Sequence, residues 1–118
     1  MQAYANPARF NALALKVLPW CAGLTVLLLA TGLYYSLVKA PQDYQQGETV
    51  RIMFVHVPAA WMALACYSVM ALASAVGIIW RHPLADVAAR AAAPLGAAFT
   101  FVGLATGSIW GRPMWGTW

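Results

Sequence analysis

Two features of this 118-residue sequence have the residue types for chemistry. The first is His56. A neutral imidazole is the commonest protein metal ligand, and it also serves as an ordinary polar anchor at a membrane surface. The second is the run Trp110-Gly-Arg-Pro-Met-Trp115-Gly-Thr-Trp118, with three Trp, two Gly and one Pro in nine residues. Trp offers a broad apolar face with one N–H donor, and Gly lets backbone approach a ligand closely. Such a run suits an interfacial aromatic belt and equally a shelf for a flat, largely apolar ligand. A planar ligand containing iron would use both features, the imidazole on the metal and the rings against the macrocycle. Haem has that form.

The other polar residues add little. Arg51 and Arg112 are placed to face the propionates of such a ligand or to act as interfacial anchors. Cys21 and Cys66 lie at depths too different for a disulfide and read as small packing residues. No Cys-x-x-Cys-His is present, so the chain does not itself attach haem covalently. Asp43, Glu48 and Asp86 are isolated and form no catalytic pair. With no phosphate loop and no nucleophile motif, the expectation is a protein that is not an enzyme. The basic residues are scattered, which gives no support to nucleic-acid binding.

The elements that must position His56 and the tryptophans are membrane helices. Hydrophobic residues make up 63% and charged residues 8%, against about 25% charged in soluble domains. A soluble chain this small could not hide so much apolar surface. The charged residues act as fences: Lys16 and Lys39 bracket 22 uncharged residues, Arg51 and Arg81 bracket 29, and Arg90 and Arg112 bracket 21. A spanning helix needs roughly 20 apolar residues. The expected fold is therefore an all-α integral membrane protein with three transmembrane helices.

The expected segments are a cytoplasmic stretch 1–16, a helix 17–38, a periplasmic loop 39–57 carrying His56, a helix 58–80, a cytoplasmic loop 81–90, a helix 91–110 and a tryptophan-rich periplasmic stretch 111–118. Pro19 suits a first helical turn. Pro58 disfavours helical geometry at Val57 and predicts a helix start there, with a continuous kinked helix as the alternative. Gly96, Thr100, Gly103 and Gly107 share one helical face of small residues, which lets another helix approach closely. Arg9, Lys16, Arg81 and Arg90 fall on one side against Lys39, Arg51 and Arg112 on the other. That bias predicts a cytoplasmic N-terminus. His56 and the Trp110–Trp118 run then share the outer side, and His82 lies on the inner one.

The stretches Ala40-Pro-Gln-Asp-Tyr-Gln-Gln-Gly47 and Arg51-Ile-Met-Phe-Val-His56-Val-Pro-Ala-Ala60 strongly resemble the CcmC family, the haem-handling membrane proteins of cytochrome c maturation. Gly107-Ser-Ile-Trp-Gly-Arg-Pro-Met-Trp-Gly-Thr-Trp118 is similar to the opening of that family's tryptophan-rich WWD motif. The resemblance covers nearly the whole chain from about residue 17. It implies six membrane helices in the bacterial inner membrane, of which these are the first three, so the chain reads as an N-terminal fragment. It implies transient, non-covalent binding of haem b, with His56 as one axial iron ligand. The cradle it implies is Trp110, Gly111, Pro113, Trp115, Gly116, Thr117 and Trp118. It also implies delivery of haem to a CcmE-type chaperone, with CcmD and the transporter subunits CcmA and CcmB as partners. The family's second histidine and the acidic end of its motif have no counterpart in these 118 residues.

The expected function is thus to hold haem and hand it on for c-type cytochrome biogenesis. The alternatives are a structural three-helix subunit of a larger membrane complex and a quinone-binding redox subunit using the same Trp shelf. The natural protein is expected to continue beyond Trp118, since the chain stops within the motif.

Overall fold

A computed structural model describes residues 6–118. Its helices are α1 (Pro7–Tyr34), α2 (Val50–Trp80) and α3 (Pro83–Trp115), and a π-helical turn, Tyr35–Lys39, extends α1. No strand occurs among the described residues. All three helices are long and apolar enough to cross a membrane. This is the all-α membrane architecture expected from the charge-free runs. The described residues up to Ala40 form one unit, and Pro41–Trp118 form a second.

In the first unit, Asn6 caps α1 by accepting from the Ala8 N–H at 2.9 Å, and Pro7 occupies the first turn. The helix therefore begins before the expected residue 17. Pro19 is interior rather than in the first turn. Its missing N–H frees the Leu15 carbonyl, a loss membrane helices tolerate where the chain is helical on both sides. Arg9 and Lys16 consequently sit on helix. No residue of α1 is buried. The Thr31 hydroxyl donates back to the Leu27 carbonyl at 2.8 Å, so it carries no unmet donor into an apolar setting. Cys21, expected as a packing residue, is exposed on α1.

The second unit is an antiparallel helix pair. Its inner surface is built from small residues: Ala59, Cys66, Ala85, Gly96, Gly103 and Gly111 are buried. Large side chains such as Trp61, Leu72, Ile78, Phe101 and Leu104 point outward. That inversion of a soluble core is what lipid permits, because apolar surface gains nothing by leaving it and close backbone packing holds the helices together. The register follows from four meetings. Gly77 faces Ala85, Gly96 faces Cys66, Gly103 faces the Ala60 backbone and Gly107 faces His56. The small-residue face expected on the third span is the face α2 packs against, and Cys66 is buried on it as expected.

Pro58 does not begin the helix. It lies inside α2, which starts at Val50. The expected boundary 39–57/58–80 is corrected accordingly, and His56 is helical rather than in a loop. Pro58 deprives the Phe54 carbonyl of its partner, yet His56 before it and Ala60 after it both engage α3. Contacts on both sides hold the helix continuous through the proline. At its far end α2 stops on Arg81 in the left-handed region, φ 49. Pro83 forces His82 into extended backbone, ψ 125.

The expected loop 81–90 shrinks to Arg81 and His82. His82 Nδ1 accepts from the Leu84 N–H at 3.3 Å, Pro83 fills the first turn, and Asp86 pairs with Arg90 one turn on at 3.0 Å. These are helix-start devices, so 83–90 is the opening of α3. At about 1.5 Å per residue α2 and α3 are roughly 46 and 50 Å long, longer than a hydrocarbon core of about 30 Å. Each therefore has length to cross it tilted or with its ends outside.

Candidate functional site

The turn before α2 and the end of α3 meet at one end of the pair. Asp43 Oδ1 accepts from the Gln45 and Gln46 N–H groups at 2.9 and 2.8 Å. Asp43 and Gly47 exchange backbone hydrogen bonds, and Gly47 adopts φ 58, which glycine takes without strain. The folded turn presents Gln46, whose Oε1 accepts from Trp110 Nε1 at 3.0 Å. Thr49 donates to the Gln46 carbonyl at 2.6 Å and lies 3.9 Å from Met114 Sδ. Glu48 is held by Arg51 at 2.6 Å and by the Gln42 amide. Asp43, Glu48 and Asp86 thus all have structural partners.

His56 is in the second turn of α2, half-buried against α3. Its Nδ1 lies 3.0 Å from the Gly103 carbonyl oxygen and 3.1 Å from Thr106 Oγ1. The Thr106 hydroxyl donates to the Val102 carbonyl at 2.6 Å. A carbonyl only accepts, and the shortest bond of the Thr106 hydroxyl is to Val102, so a hydrogen on Nδ1 has both oxygens as acceptors. A neutral ring then has its lone pair on Nε2. Gly107 provides the space for it, since a Cβ there would stand 2.9 Å from His56 Cε1.

The tryptophan-rich stretch expected at 111–118 is helical as far as Trp115. Helix α3 continues through Trp110, Gly111, Arg112, Pro113, Met114 and Trp115. It ends at Gly116, φ 76, whose N–H bonds to the Arg112 carbonyl at 2.9 Å. This left-handed glycine stop is what folds the last residues back. Gly111 is buried, and a Cβ on it would meet the Thr117 carbonyl at 3.3 Å and the Trp115 ring at 3.6 Å. Trp115 stands edge-on to Trp110 with centroids 4.6 Å apart. The Arg112 guanidinium lies 4.6 Å from the Trp118 ring centre, a cation–π contact. Pro113 is exposed in the last turn.

Of the expected cradle, Trp110, Gly111, Trp115 and Thr117 come together. Trp115 and Trp118 keep 68% and 71% of their surface exposed, so two broad aromatic faces remain available. His56 belongs to the same end of the pair, because Gly107, beside its ring, lies one turn before Trp110 and Gly111 on α3. His82 is at the other end, since α2 runs about 36 Å from His56 to Trp80. A recess of about 390 Å³ near His82 includes Ser74, Gly77 and Asp86. Its chief polar groups are occupied, His82 Nδ1 by Leu84 and Asp86 by Arg90.

Sequence reasoning missed Thr106 and Gln46. Thr106 was within reach by counting three residues from Gly103 along the small-residue face. Gln46 had no such signal, because its reach to Trp110 depends on how the 43–47 turn closes. Among the described residues no three His, Cys, Asp or Glu side chains cluster to hold a metal ion.

Comparison with known proteins identifies the family. The family model described as Heme exporter protein C (CcmC) matches residues 1–118. Relatives named Heme exporter protein C include one from Bradyrhizobium diazoefficiens, 65% identical over 114 residues, covering 97% of this chain and 43% of the relative. One from Escherichia coli K12 is 45% identical over 114 residues, covering 97% and 46%. One from Paracoccus denitrificans is 46% identical over 115 residues, covering 98% and 47%. The chain thus spans a little under half the length of these curated relatives.

Proposed function

The chain belongs to the CcmC family of haem exporter proteins, and from that membership we propose that it binds haem at the membrane surface and takes part in passing it to a haem chaperone for c-type cytochrome assembly. The observation that carries this reading is the state of His56. Its Nδ1 faces the Gly103 and Thr106 oxygens, so a hydrogen held there leaves the Nε2 lone pair for ligation beside the tryptophan-rich helix end. One imidazole is too few ligands for a bare ion, which structural sites hold with about four. A porphyrin brings four nitrogens of its own, so a single axial histidine is enough to attach it. Trp115 and Trp118 offer apolar faces to the macrocycle, and Arg112 lies within reach of an acidic substituent near them.

In this reading the action is ligation and transfer of non-covalently held haem b, without turnover. The partners are a CcmE-type chaperone, CcmD and the transporter subunits CcmA and CcmB. The protein resides in the bacterial inner membrane with the N-terminus cytoplasmic and the His56 end periplasmic. Four basic residues at 9, 16, 81 and 90 against three at 39, 51 and 112 support that orientation. A purely structural subunit draws less support, because the small-residue face that would recruit an outside helix is occupied by α2.

The test is haem titration of the 118-residue chain in lipid nanodiscs, followed by absorption in the Soret region. Saturable binding with a shifted Soret band is expected. The His56→Ala chain should lose that shift and the His82→Ala chain should keep it. Binding unaffected by His56→Ala would reject the assignment.

A further inference from the structure

We propose that Thr106 is a positioning residue that, with the Gly103 carbonyl, locks His56 as its Nδ1–H tautomer and so presents the Nε2 lone pair for ligation. The inference rests on the reading of His56 as a haem ligand, but it concerns a property of the chain without haem. A neutral imidazole carries its hydrogen on one nitrogen, and the partner of that nitrogen decides which one. The partners of Nδ1 are two oxygens from α3 at 3.0 and 3.1 Å, on residues 103 and 106.

Thr106 serves because its own hydrogen is directed elsewhere. The 2.6 Å bond to the Val102 carbonyl uses the hydroxyl proton and turns a lone pair toward His56. A serine would repeat that arrangement. A valine of similar shape would place a methyl group against Nδ1 and leave Gly103 as the sole acceptor. The Nδ1–H tautomer would then rest on one acceptor instead of two, so its population should fall. Gly107 is the third part of the seat, since any Cβ there would displace the ring from both oxygens. This is the arrangement by which metal-bound histidines are commonly oriented through the nitrogen that does not bind, and loss of such partners typically lowers affinity about 10- to 100-fold.

The test is nitrogen-15 NMR of the imidazole in the haem-free 118-residue chain, in nanodiscs, at a pH where the ring is neutral. His82→Gln simplifies the spectrum to one histidine. The expected result is a protonated Nδ1 and an unprotonated Nε2 at His56. Thr106→Val should lower the population of that tautomer and weaken haem binding about tenfold or more, and Thr106→Ser should restore both. Circular dichroism identifies a Val variant that has lost its helices, in which case the unsubstituted chain and the Ser variant carry the test. A dominant Nε2–H tautomer in the unsubstituted chain would overturn the inference and leave haem binding by His56 standing. Haem binding unchanged by His56→Ala would overturn the ligand reading and leave the tautomer result intact.

Discussion

The imidazole of His56 lies so close over Gly107 that a single methyl group on that glycine would stand 2.9 Å from its Cε1. The contact joins two helices, since His56 belongs to α2 and Gly107 to α3. It also constrains the chemistry, because the ring can reach Gly103 and Thr106 only by lying across a residue without a side chain. Gly107→Ala should therefore push the ring off its two acceptors. Overpacking of this kind costs about 1–3 kcal/mol. The expected outcome is weaker haem binding with the helical content retained, read by Soret titration and circular dichroism on the same sample.

A second glycine tests the packing without touching the site. A Cβ at Gly96 would meet Cys66 Cβ at 3.2 Å, which an alanine could just accommodate if the neighbour yields. A leucine could not be accommodated. Gly96→Leu should pry α2 from α3 at mid-span, while Gly96→Ala should be mild. Paired spin labels near residues 63 and 99 should report a larger separation for the leucine variant and little change for alanine.

The bond from Trp110 to Gln46 ties the 43–47 turn to the end of α3. Trp110→Phe keeps most of the ring and removes the donor, and Gln46→Ala removes the acceptor. Each should cost about 0.5–1.5 kcal/mol. The double variant should cost little more than either alone, because both delete the same bond. Thermal unfolding of the four chains closes that cycle.

Much of this architecture is legible in the sequence, and the failures share a cause. The spans are visible because charge cannot enter lipid cheaply, so Lys16, Lys39, Arg51, Arg81, Arg90 and Arg112 mark them without any knowledge of packing. The contact face of α3 is visible because Gly96, Gly103 and Gly107 repeat at helical spacing. The start of α2 was misread because the local rule at Pro58 is real but weaker than two tertiary contacts, His56 and Ala60 on α3. The start of α3 was misread because Asp86 and Arg90 look like loop charges until their one-turn spacing is seen as an ion pair on a capped helix. The third helix, expected to end at Trp110, runs on because α3 accepts Pro113 in its last turn and stops at Gly116.

Orientation is open to direct test. A reporter inserted between Arg81 and His82, the short connection between α2 and α3, should be active in the cytoplasm, and one fused after Trp118 should be active in the periplasm. The reverse pattern would put His56 and the tryptophans on the cytoplasmic side and remove the basis for periplasmic haem delivery.

In the proposed reading the histidine and the tryptophans hold haem by different physics, so their variants should fail in different ways. His56 offers one coordinate bond, so His56→Ala should change the axial ligation and the absorption spectrum of any haem that remains. Trp115 and Trp118 offer exposed ring faces, and an aromatic contact of that kind is worth about 0.5–1.5 kcal/mol beyond its buried area. Trp115→Ala and Trp118→Ala should each lower haem affinity roughly two- to tenfold, while the spectrum of the bound fraction stays that of the unsubstituted chain. Arg112→Gln should resemble the Trp118 variant in part, since the guanidinium lies over that ring. Cys66→Ala, buried on Gly96 at mid-span, should leave both the affinity and the spectrum unchanged. Titration with absorption and resonance Raman readouts separates the two classes. A Trp115 or Trp118 variant that altered the axial ligation would mean that these rings position His56 and are not a surface for the macrocycle.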